Sequence, residues 1–259
     1  MQKKKLYCIV GETGSGKDTL VNKLMCEFPK QFKAVVSYTN REIREGETEG
    51  VEHYFVSKEE FTKKYKTKRN EIVAYTKIAN EQGEGYEYMA LIEDVKEANI
   101  YIIDPNGLKY LRDNFGDEID AVVIYIYAPL KQRKERAKTR SDYKTKFLKR
   151  VSAEQAQFDH FYRHRHFDYV IYNLDGMDDT SYETFKAIIQ YEENERDVGS
   201  EYTSVLGDDH TKEELSDAMS LMKTSIEFYI SQYTTNTTLV RNAKKNYMLL
   251  RNLILSHMR

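Results

Sequence analysis

The sequence predicts an α/β fold in which a parallel sheet is flanked by helices, and three observations carry that expectation. A short apolar run, Leu6 to Val10, ends at Gly11 and leads into a helix-like stretch from Lys17 to Glu27. Apolar runs of strand length recur at Ala34 to Ser37, Ile100 to Ile103, Ala121 to Tyr127 and Tyr169 to Tyr172, with helical periodicity between most of them. Strands that alternate with helices pair in parallel, because each crossover returns the chain to the same end of the sheet. Third, the 259 residues are 40% hydrophobic and 12% aromatic, enough apolar surface to build a core. At roughly 150 residues per domain, the length suits one large domain or one domain with an appendage.

The elements follow in order. Between Asn40 and Met89 the pattern changes to short alternating strands, His53 to Val56 and Ile72 to Lys77, punctuated by glycines at 46, 50, 83 and 85. This predicts an inserted, mostly antiparallel lobe over about residues 38–89. Residues 131–150 hold ten Lys or Arg against Glu135 and Asp142, a local charge of +8 in a chain whose total is −2. Such a cluster wants an anion nearby, the alternative being a solvated helix face. A helix from Thr180 to Glu195 closes a domain of residues 1–195. Residues 196–209, polar and acidic with Gly199, Ser200 and Gly207, read as a linker. Residues 210–259 read as a helical appendage: Thr211 to Tyr233 and Leu239 to His257 form a hairpin about the β-branched polar break at 234–238. Its apolar positions, such as Leu215, Met219, Met222, Ile226 and Ile230, either pack on the chain's own domain or make a homodimer.

Several classes are excluded. Nearly balanced charge argues against a nucleic-acid-coating protein, and no nucleic-acid partner is expected. No run approaches the ~18 to 20 apolar residues of a membrane span. The start MQKKKLYCIVG lacks a signal core, so a cytoplasmic protein is expected. Cys8 and Cys26 are too few for a disulfide framework.

Gly11-Glu12-Thr13-Gly14-Ser15-Gly16-Lys17 fits the Gly-x4-Gly-Lys phosphate loop, set after a strand and at the opening of a helix. Glycines let the backbone wrap a phosphate with its N–H groups turned inward, the helix N-terminus adds positive potential, and Lys17 reaches the β and γ oxygens. The sheet is therefore expected to be that of a P-loop NTPase, with ATP on residues 11–19. The usual magnesium-ligating Ser or Thr after the lysine is replaced by Asp18, with Thr19 next. Asp18 either holds magnesium through a bound water, while the Thr19 hydroxyl meets a phosphate, or is a first-turn acid favoured by the helix dipole.

A second phosphate site follows. Ser37-Tyr38-Thr39-Asn40-Arg41-Glu42-Ile43-Arg44-Glu45-Gly46-Glu47, then Gly50-Val51-Glu52-His53-Tyr54-Phe55-Val56, places a hydroxyl, two arginines and a tyrosine after the second strand. Here the sequence resembles the guanylate kinase family, whose acceptor-binding segment reads Ser-x-Thr-x-Arg-x-x-Arg-x-Gly-Glu, then Gly-x-x-Tyr-x-Phe-Val. The adjacency of Tyr54 and Phe55 is a departure. Asp104-Pro105-Asn106-Gly107 is similar to the family's Asp-x-Gln-Gly stretch. Arg136, Arg140 and the run from Arg150 to Ala156 are similar to its lid and following helix.

The resemblance covers roughly residues 5–190 and implies ATP- and Mg2+-dependent phosphorylation of a nucleoside monophosphate, GMP or dGMP by family default. By the same analogy Ser37, Arg41, Arg44 and Tyr54 hold the acceptor's phosphate, and Arg136, Arg140 and Arg150 come from the lid. Tyr86 and Tyr88 match the family's acceptor-site tyrosine and hydroxyl. Phosphoryl transfer asks for positioning and charge neutralisation, which arginines on a closing lid supply. Asp104 organises magnesium and its waters, or else simply initiates a turn before Pro-Asn-Gly.

Two positions depart from the family's guanine-reading acids. The expected glutamate falls on Ala74 and the first aspartate on Ile102, and neither side chain accepts a hydrogen bond. The stretch from Ile78 to Met89 is about three residues longer than the pattern and brings Glu81, Glu84 and Glu87, either replacement acids or loop solubilisers. Competing readings are a non-catalytic interaction module, an enzyme acting on a polynucleotide 5′ end, and a kinase of another small phosphorylated metabolite. His160, His164 and His166 do not read as a metal site, because Arg163 and Arg165 among them repel a cation.

Overall fold

A computed structural model describes residues 3–44, 46–79, 85–138, 147–164, 166–176 and 178–194. The chain divides into two compact units, residues 1–168 and 169–259. The first unit runs through β1 (Lys4–Val10), α1 (Lys17–Glu27), β2 (Ser37–Thr39), β3 (His53–Phe55), α2 (Lys58–Thr67), β4 (Ile72–Ala79), β5 (Gly85–Leu91), α3 (Ile92–Lys96), β6 (Ile100–Ile102), α4 (Pro105–Phe115), β7 (Ile119–Tyr127), α5 (Leu130–Ala137) and α6 (Leu148–His164). The second unit holds β8 (Tyr169–Tyr172) and α7 (Asp178–Asn194), tied by Ser181 Oγ donating to the Tyr172 carbonyl at 3.1 Å.

The first unit's main sheet runs β6-β1-β7 and is parallel, with Cys8 registered between Tyr101 and Val123. Leu6 to Val10 are all buried, as expected for a central parallel strand covered on both faces. The apolar run at Ala34 to Ser37 does not form the expected strand of this sheet. Ala34 makes a single parallel bridge to Ile100 and the Val35 N–H donates to the Ile100 carbonyl, after which the chain leaves, and Ser37 opens a strand of the second sheet.

That second sheet runs β3-β2-β5-β4. The β2/β5 and β5/β4 pairs are antiparallel, as the insertion predicts, but β2 and β3 are parallel. No tight hairpin joins β2 to β3; the chain returns through turns at Gly46 and Gly50, both at positive φ. One face of the sheet packs Ile72, Met89, Leu91, Tyr38 and Tyr75 on Phe61 and Tyr65 of α2, which starts from a capping box of Ser57 and Glu60. Strand alternation turns Ser37, Thr39, His53, Phe55, Ala74, Thr76 and Tyr88 to the other face.

Candidate active site

The phosphate loop is forced into shape by contacts a side chain would break. A β-carbon at Gly11 would lie 2.6 Å from Ser15 Oγ and 2.7 Å from the Ile126 carbonyl oxygen, while Gly14 and Gly16 sit at φ 81° and 87°. Gly16 is the N-cap of α1 and brings no side chain onto the helix end, so the first-turn amides are presented to a phosphate. Lys17 stands 3.6 Å from the exposed Asp18 carboxylate, and its charge holds that carboxyl below its usual range.

A buried polar frame braces the loop from behind. The Arg133 guanidinium on α5 donates to the Ala128 and Thr13 carbonyls and to Glu12 Oε1, at 3.0, 3.2 and 3.2 Å. The Tyr125 hydroxyl donates to Glu12 Oε2, and its ring packs on Phe158, Phe161 and Phe167. Glu154 on α6 accepts from the Thr13 N–H at 2.9 Å. Burial pushes the Glu12 carboxyl up to about 7. Glu12 is thus a strut within the loop, its side chain turned away from the phosphate cradle. Arg133, Glu154 and Tyr125 escaped the sequence reading because nothing in a basic run distinguishes the one arginine that turns inward; its spacing from Pro129, the α5 N-cap, is the signal available.

Across from the loop, Arg41 is almost fully buried. It makes a two-pronged ion pair with Glu47 at 2.6 Å for each bond, donates through Nε to the Tyr88 hydroxyl at 3.1 Å, and lies over the Phe55 ring. Glu47 also accepts from the Arg44 N–H at 2.9 Å. Burial alone would raise its carboxyl, but these bonds outweigh it and hold the group below the usual range. The Arg44 guanidinium is only 3.9 Å from Glu47. Burial first, then the charges of Arg150 and Arg41, lower its affinity for its own proton. Arg150 also lowers Asp18, so this α6 arginine acts on the acceptor lobe and the phosphate loop together. The lobe and α6 therefore concentrate positive charge beside the loop.

The structure sorts the remaining candidates. Arg136 donates to the Ser15 carbonyl at 3.3 Å and so borders the loop. Arg140, Glu81, Glu84, the linker and the appendage lie outside the described residues. Tyr88 belongs to the basic site, while Tyr86 is exposed on the same face. Ala74 is buried on that face, and Ile102 pairs with Ile9 at the end of β6. Glu87 is committed elsewhere, accepting from Asn40 Nδ2 at 3.1 Å and from the Tyr75 hydroxyl at 2.6 Å. Asp104 caps α4, its Oδ1 accepting from the Asn106 and Gly107 N–H groups, and burial pushes its carboxyl up.

Tyr54 requires a correction. It stacks on Tyr38 at 4.8 Å between ring centroids, on the face that packs against α2, because β3 alternates and its neighbour His53 takes the site face. Counted from Gly50, the tyrosine of the Gly-x-x-Tyr pattern falls on His53. The rings of His160, His164 and His166 do gather, with centroids 4.3 to 5.8 Å apart, yet among the described residues no group of His, Cys, Asp and Glu is arranged to hold a metal ion. No helix among the described residues is long and apolar enough to cross a membrane.

A glycine cradle on a helix N-terminus, faced by a second basic site, is the construction of a phosphotransferase with two phosphate-bearing substrates. The guanylate kinase family model matches residues 3–192. The guanylate kinase of Chlamydia trachomatis serovar D is 30% identical over 196 residues, 75% of this chain and 91% of its own. That of Chlamydia felis is 34% identical over 199 residues, covering 73% and 89%. The crystal structure of guanylate kinase from Anaplasma phagocytophilum superimposes with a TM-score of 0.52 at 21% identity, covering 74% of this chain and 88% of that one, and shares the fold. The chain belongs to the guanylate kinase family and is a phosphotransferase of that family.

Proposed function

We propose that the protein is an ATP-dependent nucleoside monophosphate kinase, transferring the γ-phosphoryl group of ATP to a ribo- or deoxyribonucleoside monophosphate. The observation that supports it most is the convergence of Arg41, Arg44 and Arg150 beside the Lys17 loop, three cations against the two carboxylates of Glu47 and Glu154. An oxygen of the acceptor's phosphate attacks the γ-phosphorus as the β–γ bridging oxygen leaves with ADP. No covalent bond to the protein is needed. Lys17 and the α1 amides hold the β and γ oxygens; Arg44 and Arg150, with Arg136 and Arg140 from the lid, offset the charge that two phosphates bring together. Arg41 is preset by Glu47, so it costs little to order when the acceptor arrives.

Bound at the loop, magnesium would supply charge neutralisation to the phosphates. Asp18, an exposed carboxylate at the loop's end, fits a water-mediated hold on it, since this ion keeps most of its waters and needs only one or two carboxylates. Asp104 is a weaker candidate, its Oδ1 being spent on the α4 cap. The relatives' name points to GMP as acceptor, while Ala74 and Ile102 give guanine's N1 and 2-amino donors no side-chain acceptor.

The test is ADP formation from ATP and magnesium against a panel of ribo- and deoxynucleoside monophosphates, with Lys17→Ala as background. Turnover with at least one monophosphate, falling by roughly a thousandfold or more in Lys17→Ala, is expected. Silence across the panel with ATP still bound would overturn the reading. A hundredfold preference for GMP or dGMP would show that Ala74 and Ile102 have not moved base choice.

A further inference from the structure

One carboxylate is shared between the phosphate loop and an arginine of the site. Glu154 lies on α6 with its two oxygens divided: Oε2 accepts from the Thr13 N–H at 2.9 Å, and Oε1 stands 3.6 Å from Arg150 Nη2, one helical turn back. The Glu154 side chain is 9% exposed and that of Arg150 29%, so the acid is fixed in the protein while the base reaches toward the cleft. Among the described residues Glu154 is the one ion-pair partner of Arg150.

We propose that Glu154 is a positioning residue for phosphoryl transfer: anchored on the loop through Thr13, its carboxylate holds the Arg150 guanidinium between the loop and the acceptor lobe. The inference rests on the kinase reading above and adds to it the group that places one of its cations.

Arg150 needs such a hold. Its charge acts on Asp18 at the end of the loop and on Arg44 in the acceptor lobe, so it stands within reach of both. Arg44 repels it, and a long side chain loses rotamer freedom to stay where it is repelled. Glu154 supplies the opposing charge. The pair does little for α6 itself, because the favourable i,i+4 order on a helix sets the acid N-terminal to the base, and here the base comes first. A carboxylate beside a phosphate cradle also opposes the charge of ATP, and the Arg150 cation offsets that opposition. At 3.6 Å the contact is an ion pair longer than a hydrogen bond, which leaves the guanidinium N–H groups available to phosphate oxygens. Because Thr13 belongs to the loop that carries ATP, the arginine is placed relative to the loop directly, and not only through the chain that joins α5 to α6.

The experiment uses the full chain with ATP, magnesium and the monophosphate that the panel identifies as best. Glu154→Gln keeps the side chain's volume and a carbonyl oxygen for the Thr13 N–H but removes the charge that holds Arg150. It is expected to keep its urea midpoint, to keep KM for ATP within about threefold of wild type, and to lose about 10- to 100-fold in kcat, the scale that a displaced catalytic group costs. Arg150→Met, which changes a part-exposed side chain and leaves Glu154 on Thr13, is expected to lose at least as much. The double variant separates positioning from bracing: in the Arg150→Met background, Glu154→Gln is expected to cost less than about twofold in kcat, since it acts through a group already gone. A kcat within about twofold of wild type in either single variant overturns the proposal. So does full additivity in the double variant, which would mean that Glu154 acts on the loop alone. Wild-type inactivity toward every monophosphate would instead remove the kinase reading on which this rests.

Discussion

Arg133 shows how much one side chain settles when it turns inward. Its guanidinium satisfies two carbonyls of the loop region and neutralises Glu12, all within a buried frame. Removing one partner of a buried pair leaves an uncompensated charge and typically costs ~3 to 5 kcal/mol. Arg133→Met is therefore expected to destabilise the protein by about 3 kcal/mol, read by urea denaturation at pH 8, where Glu12 is ionised. The loss should shrink at pH 5, where Glu12 is protonated and no longer needs a cation. Arg133→Lys should recover only part of it, since an ammonium cannot span three acceptors with the guanidinium's fork. The sequence announces none of this. Ten basic residues between 131 and 150 read alike, and only the fold separates Arg133, packed under the loop, from Lys134 and Lys138 on the outer turns.

At the scale of elements, what was legible is what backbone geometry dictates. The loop follows from glycine spacing, and the helix Lys17–Glu27 and the strand Tyr169–Tyr172 have the limits their patterns give. The second sheet was legible as an insertion but not in its pairing. Short strands such as Ser37–Thr39 and His53–Phe55 carry too few alternations to fix which residues face which side, and a one-residue offset exchanges the faces. That offset is the origin of the Tyr54 assignment. Tyr54 and Phe55 are adjacent, so only one of them can share the face of Ser37, and the parallel register gives it to Phe55 and His53. Tyr54→Phe, which keeps the ring on Tyr38, is accordingly expected to leave acceptor KM and kcat within about twofold of wild type. A tenfold rise in acceptor KM would return Tyr54 to the site and unseat the β2/β3 register.

For the whole molecule, two half-buried groups, Glu12 in the phosphate loop and His53 in the acceptor lobe, pull stability in opposite directions with pH. His53 has its folded value lowered to about 4 from an ordinary 6.5. Between those values the unfolded chain binds the extra proton, so its contribution is complete above about pH 6.5 and is lost as pH falls toward 4. Glu12 has its folded value raised to about 7 from an ordinary 4.5. There the folded chain binds the extra proton, so its contribution is complete below about pH 4.5 and is lost as pH climbs through 7. Each spans up to about 3 kcal/mol, a tenfold change in proton affinity being worth about 1.4 kcal/mol. Between pH 4.5 and 6.5 the slopes cancel, and the two groups together leave wild-type stability flat. The single variants unmask them. Relative to wild type, His53→Phe should lose stability with rising pH across this window, and Glu12→Gln should gain it, each by about 2 kcal/mol when urea denaturation midpoints at pH 4.5 and 6.5 are compared. The double variant should return to the flat profile, because the groups lie on separate elements and their effects add. If His53→Phe tracks wild type between those pH values, the histidine is not held neutral by the fold, and the charge balance drawn here for the acceptor lobe is wrong.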